Sequence, residues 1–157
     1  LRARPYDLAG ILGVSFWAKS GTASTLVNVA VAQTSTDIAL AEYDDVFDST
    51  CLCTEAAREA GEKKSCQGHY YVPVELSETW QQCWVFFRDM APPSWAQDQG
   101  FDPTQAIKLM WQMPEPSPGE GDLPFDVWVD EVRWITEDAV ASGGLPRSTF
   151  CGQIDFQ

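Results

Sequence analysis

The side chains that could carry acid, base or nucleophilic chemistry are unevenly supplied in this sequence. His69 is the one histidine in 157 residues, so any Ser-His-Asp or Cys-His site would have to be built on it. Neither a nucleophile elbow nor a papain-like cysteine context accompanies it. His69, beside Tyr70, therefore reads as a hydrogen-bonded structural residue. Carboxylates are plentiful, 23 Asp and Glu against 10 Lys and Arg. The best-spaced pair is Asp126 and Asp130 in FDVWVDEVRW. In a strand, Asp126, Trp128 and Asp130 share one face while Val127 and Val129 turn to the other. Two carboxylates so placed lie about 13 Å apart along a flat strand, beyond the roughly 5–9.5 Å that glycoside hydrolysis needs. A non-catalytic domain is expected.

Metal and phosphate chemistry find little more. The acidic stretches EYDDVFD (42–48) and EPSPGEGD (115–122) hold oxygen ligands of the sort calcium takes, but neither has the calcium-loop spacing, and solvation accounts for both. KSGTAS lacks the spacing and the strand–loop–helix setting of a phosphate loop. Five cysteines stand at 51, 53, 66, 83 and 151, an odd count that leaves at least one thiol unpaired within the chain. Cys51, Cys53 and Cys66 with a single histidine lack the paired C-x-x-C spacing of most zinc sites. A loop-closing disulfide between Cys53 and Cys66 is expected instead, which implies an exported protein. Cys83, inside the apolar WQQCWVFF, reads as a buried free thiol. Whether Cys51 and Cys151 pair with each other is left open by the spacing.

The elements that must position these residues are strands. LGVSFWAK sets Val14, Phe16 and Ala18 against Ser15, Trp17 and Lys19. TLVNVAVAQT sets Val27, Val29 and Val31 against Asn28, Ala30 and Ala32. HYYVPVEL, WQQCWVFFRDM, IKLMWQM and FDVWVDEVRWI continue the alternation, with Cys83, Val85 and Phe87 on the inner face of the fourth. Turn-rich stretches separate them, and the one helical candidate, TEAAREAGEKK, lies between Cys53 and Cys66. Antiparallel strands without alternating helices predict an all-β, two-sheet antiparallel β-sandwich or jelly roll. The length fits one domain, residues 1–157. Hydrophobic residues at 45% can fill a core.

A net charge of −13 excludes nucleic acid as a partner and disfavours an anionic membrane surface. The longest apolar run, residues 11–18, is too short to span a bilayer, and no signal peptide is recognisable. Seven tryptophans remain to be placed. Phase along the strands assigns Trp80, Trp111 and Trp134 to the core and Trp17, Trp84 and Trp128 to outer faces. Trp95 sits in the polar, proline-flanked loop PPSWAQDQG, where an exposed indole can stack on the apolar face of a sugar.

Taken in order, these segments resemble galactose-binding-like β-sandwich domains, a group that includes carbohydrate-binding modules of β-glucan-degrading enzymes and many bacterial secreted proteins. YDLAGILGVSFWAKSG is similar to the group's "YDGISFWAKS" strand, and CQGHYYVPVELSETWQQCWVFF to its Cys-x-x-His, strand and "TWQ" pattern. GFDPTQAIKLMWQM is similar to "FDP…IxFQ", and FDVWVDEVRWI to the closing "FDxWIDDVxF". The likeness covers about residues 6–135. It implies a jelly roll whose concave sheet binds glycan, with Trp95 in a loop that supplies stacking aromatics. It further implies Met110 and Gln112 on the concave surface, Tyr71 and Asn28 on neighbouring strands, and Asp130 as a ligand of a structural calcium. Cys83 stands where relatives have an aromatic, and Glu131 where they have a second Asp. Relatives carry one or two strands ahead of the first of these, so the N-terminal strand is expected to be missing or supplied by another segment.

The resulting expectation is a secreted or cell-surface bacterial module that binds polysaccharide, a β-glucan or cellulose type first. The alternative is an assembly domain, with Trp17, Trp84 and Trp128 as its contact patch and a homodimer or a strand from a partner completing the sheet.

Overall fold

The computed structural model describes residues 5–22, 24–37, 67–114, 125–142 and 145–152. Seven strands are present among them: β1 (Ile11–Ser20), β2 (Thr25–Gln33), β3 (Tyr70–Leu76), β4 (Gln81–Phe86), β5 (Ala106–Gln112), β6 (Val127–Thr136) and β7 (Phe150–Gly152). A short helix, α1 (Glu137–Ala141), follows β6. The strands form two antiparallel sheets, one ordered β6-β1-β4-β7 and one ordered β3-β2-β5, as an all-β sandwich requires. The helical candidate, the acidic stretches at 42–48 and 115–122, and Cys51, Cys53 and Cys66 all lie outside the described residues.

The chain divides into two compact units. The first comprises Leu1–Ala9, Ala30–Tyr71 and Met90–Met110, and the second Gly10–Val29, Val72–Asp89 and Trp111–Gln157. The second holds the four-stranded sheet. In β1 the alternation in the sequence becomes alternation in burial: Val14, Phe16 and Ala18 are buried while Ser15, Trp17 and Lys19 are partly exposed. Phe16 meets Trp111 edge-on, ring centres 5.3 Å apart, a geometry favoured by the ring quadrupoles. In β2, Val27, Val29 and Val31 are buried, and so are Ala30 and Ala32. The far half of that strand is therefore covered on both faces, as an alanine on the second face permits.

Strand β4 departs from the expected pattern. Cys83, Trp84, Val85 and Phe86 are all buried, so both of its faces are covered. The cause is a cover that the strand's own pattern does not encode: Trp84 and Phe86 join Ile135 in a cluster against which Leu12, Val140 and Leu145 pack. Trp84, assigned to an outer face from its phase, is thus 1% exposed. Phe87 is buried as expected, but it opens a 3-10 turn (Phe87–Asp89) rather than ending the strand. Trp80 and Trp134, assigned to the core, are instead exposed.

The reading of Cys83 as a free thiol is also corrected. Strand β7, which the sequence pattern did not reveal, pairs with β4 so that Cys151 lies directly opposite Cys83, and the two form a disulfide. Cross-strand neighbours are close enough for this without backbone movement. The bond closes a separation of 68 residues, long enough for the chain-entropy effect to contribute about 4 kcal/mol.

Two backbone features fix the registers of β1. Between Ser15 and Trp17, β6 runs from Arg133 to Asp130, one residue more than β1. That bulge carries Glu131 in the left-handed region, φ 49°. On the other side, a Cβ at Gly13 would lie 2.0 Å from the Val85 carbonyl oxygen and 2.9 Å from the Phe86 Cα. Both contacts are backbone, so no rotamer change relieves them. Gly13→Ala is expected to lose about 1–3 kcal/mol by overpacking, read as a lower denaturant midpoint with an unchanged slope.

Candidate functional site

Trp95 lies in the first unit, on the segment between the 3-10 turn at 87–89 and the one at Pro103–Gln105. The segment is anchored where it begins: Tyr71 N–H donates to the Ala91 carbonyl (3.0 Å) and Ala91 N–H to that of Tyr71 (3.1 Å). Pro92 and Pro93 restrict the next backbone angles, and Ala96 N–H closes a turn onto the Pro93 carbonyl at 2.9 Å. Ala96 is buried, while Trp95 beside it is 53% exposed. The turn therefore has its small residue inward and its indole outward.

Side chains hold the far end. The buried Tyr70 hydroxyl donates to Asp98 Oδ1 at 2.6 Å and accepts from Gln99 N–H at 3.1 Å. Gly100 N–H donates to the same Asp98 oxygen at 2.9 Å. Gly100 has φ 80°, which a glycine adopts without penalty. The Gln33 amide clamps the stretch that follows: its Nε2 donates to the Gly100 carbonyl (3.0 Å) and its Oε1 accepts from Asp102 N–H (2.9 Å). Tyr70 also meets Phe101 edge-on at 5.5 Å. Burial, then the Asp98 carboxylate, pushes the Tyr70 hydroxyl up to about 12. The Tyr70 bond, then Gly100 N–H, holds Asp98 below the usual carboxylate range. A tyrosine raised in the fold stabilises it fully below its ordinary pKa, and that contribution fades as pH rises from about 10 to about 12.

A second polar group in this unit surrounds His69. The Thr36 hydroxyl donates to the Gln33 carbonyl and accepts from Gln33 N–H, and His69 Nδ1 lies 3.0 Å from it. The Thr36 hydroxyl and His69 Nδ1 thus share a hydrogen bond whose direction follows the tautomer of the ring. Buried Asp37 pairs with Lys108 Nζ at 2.6 Å. Burial lowers the His69 pKa from 6.5, against an upward pull from Asp37, and Lys108 lowers it further. A histidine depressed in the fold is protonated first in the unfolded chain, so stability is lost as pH falls through 6.5. His69→Asn keeps an amide able to donate to or accept from Thr36 without titrating. Denaturant midpoints at pH about 7.5 and about 5.5 should therefore fall more steeply for the wild type than for this variant.

The other residues named for glycan or calcium divide between the units. Tyr71 and Met110 belong to the first and are half-buried, and Tyr71 is joined through its backbone to the start of the Trp95 segment. Asn28 and Gln112 belong to the second, Asn28 half-buried and Gln112 exposed. Asp130, also in the second, is exposed and its Oδ1 accepts from Glu131 N–H at 2.7 Å. Among the described residues no three Asp, Glu, His or Cys side chains converge on a point, so those residues do not by themselves make a calcium site around Asp130.

The second unit contains an arrangement that phase alone did not reveal. Lys19 Nζ lies 4.5 Å from the ring centre of Trp128 and 5.4 Å from that of Trp80. The signal was present in β1 and β6, where Lys19 and Trp128 both fall on outer faces, but only the register brings them opposite. Comparison of the chain with family models, with curated proteins and with solved structures gives no match in any of the three.

Proposed function

We propose that this chain is a non-catalytic carbohydrate-binding module for a polysaccharide of the β-glucan or cellulose type. The observation that carries the reading is Trp95, an exposed indole on a segment clamped by the buried Tyr70 and Gln33 side chains. A backbone anchored before the ligand arrives leaves less conformational freedom to lose when its indole stacks. The motif order of the galactose-binding-like domains supports the same ligand class. The Cys83–Cys151 disulfide supports export to an oxidising, secreted or cell-surface setting. Trp95→Ala should leave stability within about 0.5 kcal/mol, because the ring is largely in water. The same variant should weaken retention in gels containing β-glucan by roughly tenfold in affinity. Unchanged mobility of both proteins across β-glucans, mannans and xylans would contradict the reading.

One observation favours a second reading, an assembly domain. Strand β6 ends its sheet among the described residues. Trp134 lies opposite Val14, on the buried side of β1, yet Trp134 and Val132 are each 47% exposed. An apolar face at a sheet edge is suited to a strand from another chain. Of the patch expected from sequence, Trp84 is buried and cannot contribute. Mass in solution separates the readings: a glycan module sediments as a monomer at micromolar concentration, whereas an assembly domain sediments as a dimer or with its partner.

A further inference from the structure

One face of the four-stranded sheet changes character along its length. Cross-strand pairing puts Gly13, Ser15, Trp17 and Lys19 of β1 on the same side as their partners in β4 and β6. At the end nearer α1, Trp84, Phe86 and Ile135 on this face are sealed by Val140 and Leu145. At the other end, among the described residues, the face is partly exposed. There Trp17 stands between Gln82 and Asp130, and Lys19 stands beside Trp128, with Trp80 leading into β4. Trp80 and Trp128 are 39% and 40% exposed.

The open half is built differently from the sealed one. The sealed half adds aliphatic side chains from the segment that covers it. The open half combines indoles with an ammonium, an amide and a carboxylate. Among the described residues Lys19 has no carboxylate within ion-pair distance; its ammonium is held instead by two ring faces. Such cation–π contact orients the group and leaves its N–H donors for oxygen acceptors. Lys19 offsets one of the two carboxylates, Asp126 and Asp130, that alternation puts beside Trp128, so the patch is far less acidic than the chain's −13. An anionic polymer would be repelled by the whole, and a neutral one would not.

We propose that this face is a second glycan-binding platform, separate in the chain from Trp95, that takes a neutral polysaccharide. Trp80 and Trp128 would stack on sugar-ring faces. Lys19 donates to ring or hydroxyl oxygens, Asp130 accepts from hydroxyls, and Gln82 does either. The site goes beyond the Trp95 reading, since either surface could bind while the other does not.

The test uses the full chain and its Trp80→Ala/Trp128→Ala and Trp95→Ala variants in affinity gels of neutral β-glucan, xylan and mannan. The double variant should lose roughly tenfold in affinity for the retained polysaccharide, with Trp95 intact. Oxidation of the wild-type indoles by N-bromosuccinimide, mapped by peptide mass, gives a readout that needs no variant to fold. Bound polysaccharide should protect Trp80 and Trp128. Loss of retention in Trp95→Ala alone, with equal oxidation of Trp80 and Trp128 with and without glycan, overturns the platform and leaves the Trp95 reading standing. Loss in the double variant alone supports the platform and removes Trp95. A dimer that the double variant dissociates, with no protection by glycan, also overturns the proposal, because the face then serves protein contact.

Discussion

Strand β1 is the constraint on which the second unit depends. It is hydrogen-bonded along both edges, to β4 and to β6, and its side chains supply both a buried face and a partly open one. A residue in such a strand answers to neighbours on both sides at once, so a one-residue slip would exchange the two faces completely. The register is held by backbone geometry rather than by any single side-chain contact. Gly13 allows the β4 backbone to approach where no Cβ fits, and the bulge at Glu131 absorbs the extra residue of β6. Lys19 meets Trp128, and Trp17 falls between Gln82 and Asp130, only because both devices hold.

The first unit solves the same positioning problem by different means. Its exposed tryptophan is not on a strand, so no register can place it. The buried Tyr70 and Gln33 side chains do so instead, with the exposed Asp98 carboxylate, and together they satisfy the backbone of a segment rich in proline, aspartate and glycine. Such groups are costly when unpaired, so each bond in the set favours one conformation of the segment over its alternatives. The raised Tyr70 and lowered Asp98 pKa values express the same coupling, since both favour a protonated phenol donating to an ionised carboxylate.

The strands were readable in the sequence wherever one face was wet. β1 shows alternation and has it in burial, and the fold class followed from six such segments. β4 was misread because its second face is covered by residues some fifty positions away, and alternation carries no information about a cover supplied by the rest of the chain. Strand β7 is three residues long, too short for any period, and with it went the partner of Cys83. Trp95 was legible from its proline-flanked polar setting, but the clamp beneath it was not, because Gln33 and Tyr70 are remote from it in sequence. Trp134 and Trp80 went wrong for different reasons: Trp134 shares the buried side of Val14 yet is left exposed, because phase gives a side and not a cover, whereas Trp80 precedes β4 and meets Lys19 on the opposite face.

That distinction bears on how an acidic chain presents aromatic surface. A net charge of −13 in 157 residues keeps like molecules apart in solution, which allows exposed indoles that would promote self-association in a neutral protein. Where the charges sit also matters. Lys108 and Arg133 are each paired with a carboxylate, at Asp37 and Glu131, whereas Lys19 is held by indoles. Exchanging an indole cradle for a carboxylate would tie the ammonium in an ion pair and take away donor capacity. A carboxylate cradle suits a structural lysine. An indole cradle leaves those donors available, and Lys19 has the second kind.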